Sequence, residues 1–359
     1  MVTDFKSLKG KRIFLTGHTG FKGSWMSKFL AMHGAEVMGY SLEPPSFPNL
    51  YDIVEGASLL SSVIADIRDY RAVSQAMSGF QPEIVIHMAA QPLVRESYKN
   101  PVYTYETNVM GTVNLLEAVR RSGSVRSIIN ITTDKVYQNC EWFWGYRETD
   151  PLDGFDPYSN SKSCSELVTS SYRNSLFSDG FPAVSTARAG NVIGGGDFAK
   201  DRIIPDCIRA VQAGKKIVVR NPQSIRPYQY VLEPLTAYLR LALLQLDDAP
   251  KYQGHYNIGP YEQDCVSTRR LVEIFCKEWG DVVWHSMADA NAPHEANYLR
   301  LDCSKAKSVL RWHPKWNIEQ AVAETVAWTK AYYSGENMAQ IMETQINEYL
   351  SAAPLARSE

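Results

Sequence analysis

A rhythm in the first 190 residues constrains this chain most: short runs rich in β-branched residues alternate with longer helical patterns. Arg12–Thr16, Glu36–Tyr40, Ser62–Ile64, Ile84–Met88, Ser127–Ile131 and Ala183–Arg188 read as strands. Gly20–His33, Tyr70–Ser78, Asn108–Ser122 and Tyr158–Leu176 read as the helices between them. Short apolar strands separated by helices predict an α/β fold with a parallel sheet covered on both faces. Each crossover should be right-handed.

After Gly190 the rhythm changes. A Gly-rich loop, NVIGGGDFAKDR, leads to predicted helices at Ile204–Ala213, Pro234–Leu246, Val266–Trp279, Ser304–Leu310 and Asn317–Tyr333. Strands are expected at Ile217–Val219 and in YNIG, residues 256–259. Residues 1–190 are therefore read as the nucleotide-binding domain and 191–359 mainly as a smaller mixed α/β substrate domain. The boundary is soft. Helix 234–246 is too apolar all round to sit exposed, so the segment 227–260 has a route back to the first sheet.

Composition narrows the function classes. A formal net charge of −2 lacks the basic surplus of a nucleic-acid-binding protein. No stretch approaches the roughly 18 apolar residues of a membrane span, and the N-terminus is not patterned as a secretory signal. Cysteines at 140, 164, 207, 265, 276 and 303 form neither CxxC nor a disulfide framework. Free thiols in the cytoplasm and no protein-held metal are the expectations.

Gly17, Gly20 and Gly23 in Ile13-Phe14-Leu15-Thr16-Gly17-His18-Thr19-Gly20-Phe21-Lys22-Gly23 lie between the first strand and the first helix. Glycines there permit a tight turn and close approach to a pyrophosphate, which the helix N-terminus then binds. The pattern makes the sheet Rossmann-type. The acid expected on the adenosine ribose is absent: Ser41 stands in its place and is read as donating one hydrogen bond to a ribose hydroxyl. With no Arg or Lys nearby for a 2′-phosphate, NAD is favoured over NADP. Asp66 could accept from the adenine amino group, or could be a turn residue before Arg68-Asp69. Ala89 and Ala90 are small enough to let a cofactor lie on the backbone, and would otherwise read as core.

The pattern that decides the chemistry is Tyr158-Ser159-Asn160-Ser161-Lys162. At i and i+4 on a helix, the two side chains share a face. Tyrosine, with an ordinary pKa near 10, needs nearby positive charge to act as a base. Upstream, Thr132-Thr133-Asp134-Lys135-Val136-Tyr137 follows the fifth strand, where ligands of open α/β sheets bind. Thr133 could share a reacting hydroxyl with Tyr158.

Glycine loop, strand-end Thr and YxxxK, in this order, resemble the extended short-chain dehydrogenase/reductases, the superfamily of sugar-nucleotide dehydratases and epimerases. TGHTGFKGSW, AAQPLVRESY, TTDKVY, RAGNVIGGGD and YLRLDCSKA are most similar to the 4,6-dehydratases that act on CDP-glucose. The likeness spans essentially the whole chain. It implies an intramolecular oxidation, dehydration and reduction with NAD regenerated each turnover, in deoxysugar and O-antigen biosynthesis. Tyr158, with Lys162 and Thr133, would deprotonate the C4 hydroxyl, Asp134 would protonate the departing C6 hydroxyl, and Lys135 would take the C5 proton. Relatives usually carry Asp-Glu or a Ser/Thr-Glu element where this chain has Asp134-Lys135. Lys135 could instead remain charged and stabilise the enolate, and the pair read alone is a strand-end salt bridge. The same resemblance adds His18, Phe21, Lys22, Ile67, Gln91, Asn108 and Thr132 to the NAD-binding set. It implies Asn191, Arg202, Arg226 and Tyr298 as contacts to the nucleotide-sugar, although Pro227 stands where relatives usually carry Asp. It also implies a homodimer or tetramer through helices 108–122 and 158–176, which could equally just cover the sheet. The competing activities are a sugar-nucleotide 4-epimerase, a dehydratase of another nucleotide-sugar, and a silent NAD-binding regulator.

Overall fold

The computed structural model describes residues 5–177, 181–280, 282–287 and 298–355. Its centre is a sheet of seven parallel strands: β1 (Arg12–Thr16), β2 (Glu36–Ser41), β3 (Ser61–Ile64), β4 (Ile84–His87), β5 (Ser127–Ile131), β6 (Ala183–Ala189) and β7 (Gly254–Ile258). Their spatial order is 3-2-1-4-5-6-7. The order reverses between β1 and β4, and a crevice opens beyond the carboxyl ends of strands at such a point.

Alternate residues feed two cores. Ile13 and Leu15 on β1, Ile84 and Ile86 on β4, and Ile129 and Ile131 on β5 point to one face. Phe14, Val85 and Ile128 point to the other. Helix α1 (Phe21–Met32) covers the first face through Trp25, Met26, Phe29 and Leu30. Helices α2 (Tyr70–Phe80) and α3 (Gly111–Ser122) cover the second through Val73, Met77, Leu115 and Val119, joined by Val168 of α4 (Pro157–Ser175). Burial on both faces explains why these strands are apolar throughout rather than alternating.

The later half of the chain is not segregated from the sheet. Helix α5 (Leu232–Asp247) packs its leucines into the first core, and Ser127 donates to Gln245 Oε1 at 2.7 Å. Strand β7 then pairs with β6. The remainder forms two-stranded ribbons, such as Ile225–Pro227 against Cys265–Ser267, with further helices.

Several elements differ from their sequence expectation; the stretch expected as a helix at Ser304–Leu310, for one, closes as a π turn over Ala306–Leu310. Helix 108–122 begins as a π turn over Glu106–Met110 before α3 proper. Helix 266–279 starts at Thr268, because Cys265–Ser267 is spent on the ribbon and Ser267 accepts the N–H of Arg270 as a cap. Helix α6 (Met338–Ser351) was not expected, although Met338, Met342, Gln345, Ile346 and Tyr349 mark one buried face at helical spacing.

Candidate active site

The glycine loop is a tight cradle. Gly17 has a φ of +77°, and a Cβ there would lie 2.8 Å from the backbone nitrogen of Ala89. A Cβ at Gly23 would meet the carbonyl oxygen of Gly17 at 2.1 Å. Gly20 precedes α1 with no side-chain cap, so the first N–H groups of that helix face outward for an anion. His18 does not face the crevice as a charged group. Its ring is fully buried, bonds Ser62 Oγ at 2.7 Å, and fills the space left by the missing Cβ of Gly39. Burial lowers its pKa to about 4, so it is neutral.

Ser41 requires a correction. Thr19 Oγ1 donates to the carbonyl of Leu42 at 2.8 Å, so the 2.9 Å contact between Thr19 and Ser41 uses the proton of Ser41. Ser41 therefore offers a ribose only an acceptor, not the donor expected from the sequence. Asp66 is engaged as well: Arg68 grips its carboxylate with Nε and Nη2 at 2.8 to 3.2 Å and also donates its backbone N–H. That contact, first among its causes, holds the Asp66 carboxyl below the usual range. Ile67 packs its side chain toward Gly111, and its carbonyl accepts from Asn114 Nδ2 at 3.1 Å.

The loop after β4 is anchored through its own polar groups. The N–H of Gln91 donates to Asn108 Oδ1 at 2.8 Å, and Asn108 Nδ2 donates to Gln91 O and to Ser161 Oγ. The π turn thus places Asn108 between this loop and α4. Met88 and Ala89 donate their N–H groups to Thr16 Oγ1, each at 3.0 Å. Ala89 and Ala90 follow with minimal side chains.

At the carboxyl end of β5 the reactive groups converge. Asp156 caps α4 by accepting from Ser159 N, and Ser97 accepts the N–H of Tyr158 at 3.1 Å. Tyr158 is half-buried, and burial pushes its phenol up to about 12. The nearby Thr133 hydroxyl and the Arg202 charge pull the other way. Lys162 is 5% exposed, donates to the Ile131 carbonyl at 3.1 Å, and is lowered to about 7 by burial and by the Lys22 charge. Lys22 is itself lowered to about 8 by burial and Arg202. Asp134 is fully buried: Oδ1 accepts from Thr133 and from Lys135 Nζ, both at 3.0 Å. Its Oδ2 has no hydrogen-bond partner. Gly190 leaves room there, since a Cβ would come within 3.2 Å of that oxygen. Lys135 Nζ also donates to Asn191 Oδ1 at 3.2 Å, which leaves both amide N–H groups of Asn191 for a ligand.

Thr133, Asp134, Lys135 and Tyr158 line a cleft of about 1250 Å³ together with Asn191, Arg202 and Arg226. Arg202 is fixed by Asp197 at 2.9 Å, and Arg226 is buried with Nη1 on the Ile225 carbonyl. Arg220 lines the same cleft. Tyr298 does not: its hydroxyl donates to the Phe143 carbonyl at 3.0 Å, and the side chain lies outside the described lining. Thr132 directs its hydroxyl away, to Glu166 on α4. Glu166 was missed in the sequence, although it follows Lys162 by four residues on the same helical face.

Residues 14–325 match the family described as GDP-mannose 4,6 dehydratase. The CDP-glucose 4,6-dehydratase of Salmonella typhimurium is 48% identical over 352 residues, covering 96% of this chain and 97% of that protein. The chain belongs to the sugar-nucleotide 4,6-dehydratase family. The fold agrees: dTDP-glucose 4,6-dehydratase from Bacillus anthracis, solved with NAD, superposes with a TM-score of 0.77 at 20% identity, over 92% of this chain and 100% of that one. UDP-glucose 4-epimerase from Thermus thermophilus, also solved with NAD, gives 0.76 at 25% identity, over 88% and 98%. As a family member this chain is an NAD-dependent lyase. Its glycine cradle fits NAD, since side chains at Gly17 and Gly23 would fill the space the backbone needs. Among the described residues no group of His, Cys, Asp or Glu could hold a metal, and no helix is long and apolar enough to cross a membrane.

Proposed function

We propose that this dehydratase converts CDP-D-glucose to CDP-4-keto-6-deoxy-D-glucose, in the cytoplasm and within deoxysugar synthesis for a surface polysaccharide. The observation that carries this reading is the Asp134–Lys135 pair, placed in one cleft with Tyr158 and Thr133. An epimerase needs no acid and base beside the redox tyrosine.

Gly17, Gly20 and Gly23 would hold NAD against the backbone, and the cofactor would supply a reversible hydride acceptor for the sugar. Thr133 and Tyr158 hold the C4 hydroxyl, and the phenolate form of Tyr158 removes its proton. The positive charges of Lys162 and Arg202 favour that phenolate. With a ketone at C4 the C5 proton is acidic. Lys135 accepts it as a neutral amine while the C6 hydroxyl leaves as water with a proton from Asp134. The ion pair and the acid–amine pair hold the same number of protons, so the productive form is a tautomer of this 3.0 Å pair. The unpartnered Oδ2 is the oxygen free to deliver that proton. Lys135 then protonates C5 as C6 is reduced, and no net redox change remains.

Asn191, Arg202 and Arg226 are assigned to the nucleotide-sugar diphosphate, which favours fixed guanidinium donors. Exposed Val102, Met110 and Leu167, on or beside the helices named for pairing, support a homodimer or a dimer of dimers. The test of function is isotopic. Deuterium at C4 of the glucosyl group should appear at C6 of the product within the same molecule. Label retained at C4 with inversion there would establish the epimerase instead, and crossover between molecules would exclude a retained hydride.

A further inference from the structure

Glu166 takes no part in the steps above, yet it is fully buried and heavily bonded. Arg188 meets it with Nε at 3.0 Å and Nη2 at 2.8 Å. Thr186 donates to Oε2 at 2.7 Å, His255 Nδ1 lies 3.0 Å from the same oxygen, and Thr132 donates to Oε1. One carboxylate on α4 thus ties together the ends of β5, β6 and β7. Arg188 continues the network, donating from Nη1 to Tyr137 Oη at 2.8 Å and to the Glu148 carbonyl at 3.1 Å. Tyr137 in turn donates to Asn257 Oδ1 at 2.6 Å.

The two tethers are placed with a purpose. Thr132 stands just before Thr133, Asp134 and Lys135, and Tyr137 stands two residues after them. The reactive segment therefore hangs between two hydroxyl groups held by one ion pair. The same helix carries Tyr158 and Lys162 at i−8 and i−4 from Glu166. Stability alone does not account for such a pair, because well-packed apolar residues often serve as well or better in its place. Burial by itself would raise the Glu166 carboxyl, but Arg188 and His255 hold it far down, so it remains a fixed anion. Its charge also supports the Lys162 ammonium against burial and Lys22.

We infer that the Glu166–Arg188 pair is a positioning unit that clamps both ends of segment 132–137, setting Asp134 and Lys135 against Tyr158 so that oxidation and elimination share one geometry. The kinetic arm of its test rests on the dehydratase reading; the structural arm does not.

Tyr137→Phe and Thr132→Val each cut one tether and leave the ion pair in place. Glu166→Gln combined with Arg188→Met removes the pair without stranding a lone charge, and serves as the severe case. Amide hydrogen exchange of the 132–137 peptide should rise in each single variant, while exchange in β1 and α1 stays at the wild-type level. In single turnovers with CDP-glucose and NAD, elimination should slow about 10- to 100-fold, the scale of a small misplacement of reacting groups. In Tyr137→Phe, C4 oxidation should be nearly unchanged and KM should stay within about twofold. Reduced cofactor then accumulates, visible near about 340 nm. The clamp is overturned if segment exchange is unchanged with either tether cut. It is also overturned if oxidation and elimination slow in equal proportion with no accumulation. Should the wild-type chain prefer another nucleotide-sugar, the substrate assignment falls, and the exchange measurement still decides the clamp.

Discussion

At the β5–β6 end of the crevice, Thr132, Lys162, Glu166 and Arg188 are all 5% exposed or less, and each has its polar atoms spoken for by named partners. At the β2–β3 end, Asp66 and Arg68 have side chains 28% and 37% exposed, and Ser41 contributes a single hydroxyl already shared with Thr19. The difference follows from what each end must hold. Polar groups inside protein are costly unless fully paired, so a paired interior site fixes geometry and resists change. Reacting atoms need that fixity. A ribose and an adenine need only to be retained, and solvated contacts suffice.

The largest effect should come from breaking the buried end. Tyr158→Phe should fold normally and lose about 10²- to 10⁴-fold in kcat, the usual worth of a positioned base. Circular dichroism and product formation with CDP-glucose check it together. Near-normal turnover by a folded variant would remove Tyr158 from the mechanism.

The next effect is on stability. An unfolded lysine keeps its proton to about 10.5, whereas folded Lys162 releases it at about 7. Between those values the unfolded chain binds more protons, so stability of the cofactor-free protein rises with pH through that window. Each pH unit is worth about 1.4 kcal/mol, so the gain is at most about 5 kcal/mol. Lys22, released at about 8, adds to the upper part of the rise. Urea unfolding at pH 7 and pH 10 measures it. Lys162→Met should flatten most of the slope, and an unchanged slope would mean that this lysine is not buried as a charge.

How much of this was legible in the sequence depends on the kind of constraint. The six expected strands form because apolar runs of that length must be covered on two faces, and the glycine loop is visible because Gly17 and Gly23 lack space for a side chain. Helix α6 is legible in its Met338–Met342–Ile346 spacing but carries no motif of the site. The proton of Ser41 was not legible, because its direction is set by where Thr19 sends its own. Glu166 shared a face with Lys162, but its partners lie 20 to 89 residues away in sequence, on β6, on β7 and just past β5. Asn191 illustrates the same limit: only the folded chain shows its carbonyl given to Lys135.

At the solvated end the effects should be smaller and additive. With an acceptor only at position 41, NAD should be lost readily on purification. Ser41→Asp should tighten NAD by about 1–2 kcal/mol, the range for a hydrogen bond to a charged group, as read by calorimetric titration. Copurification of the native chain with stoichiometric NAD would show that the ribose is held by other groups.

The smallest effect should come from Arg68→Ala. Arg68 pairs with Asp66 and with Glu106, each at 2.8 Å, at a partly exposed position. Pairs of this kind contribute about 0–1 kcal/mol and weaken with salt. The variant should therefore unfold within about 1 kcal/mol of the native protein, with the difference shrinking as salt is raised. Freed from Arg68, the Asp66 carboxylate should still reach an adenine amino group, so NAD affinity should change less than in Ser41→Asp. A loss of several kcal/mol, insensitive to salt, would mean that Arg68 orders the whole β3–α2 turn. The adenosine end would then be over-determined in the manner of the catalytic end, and the contrast between the two would fail.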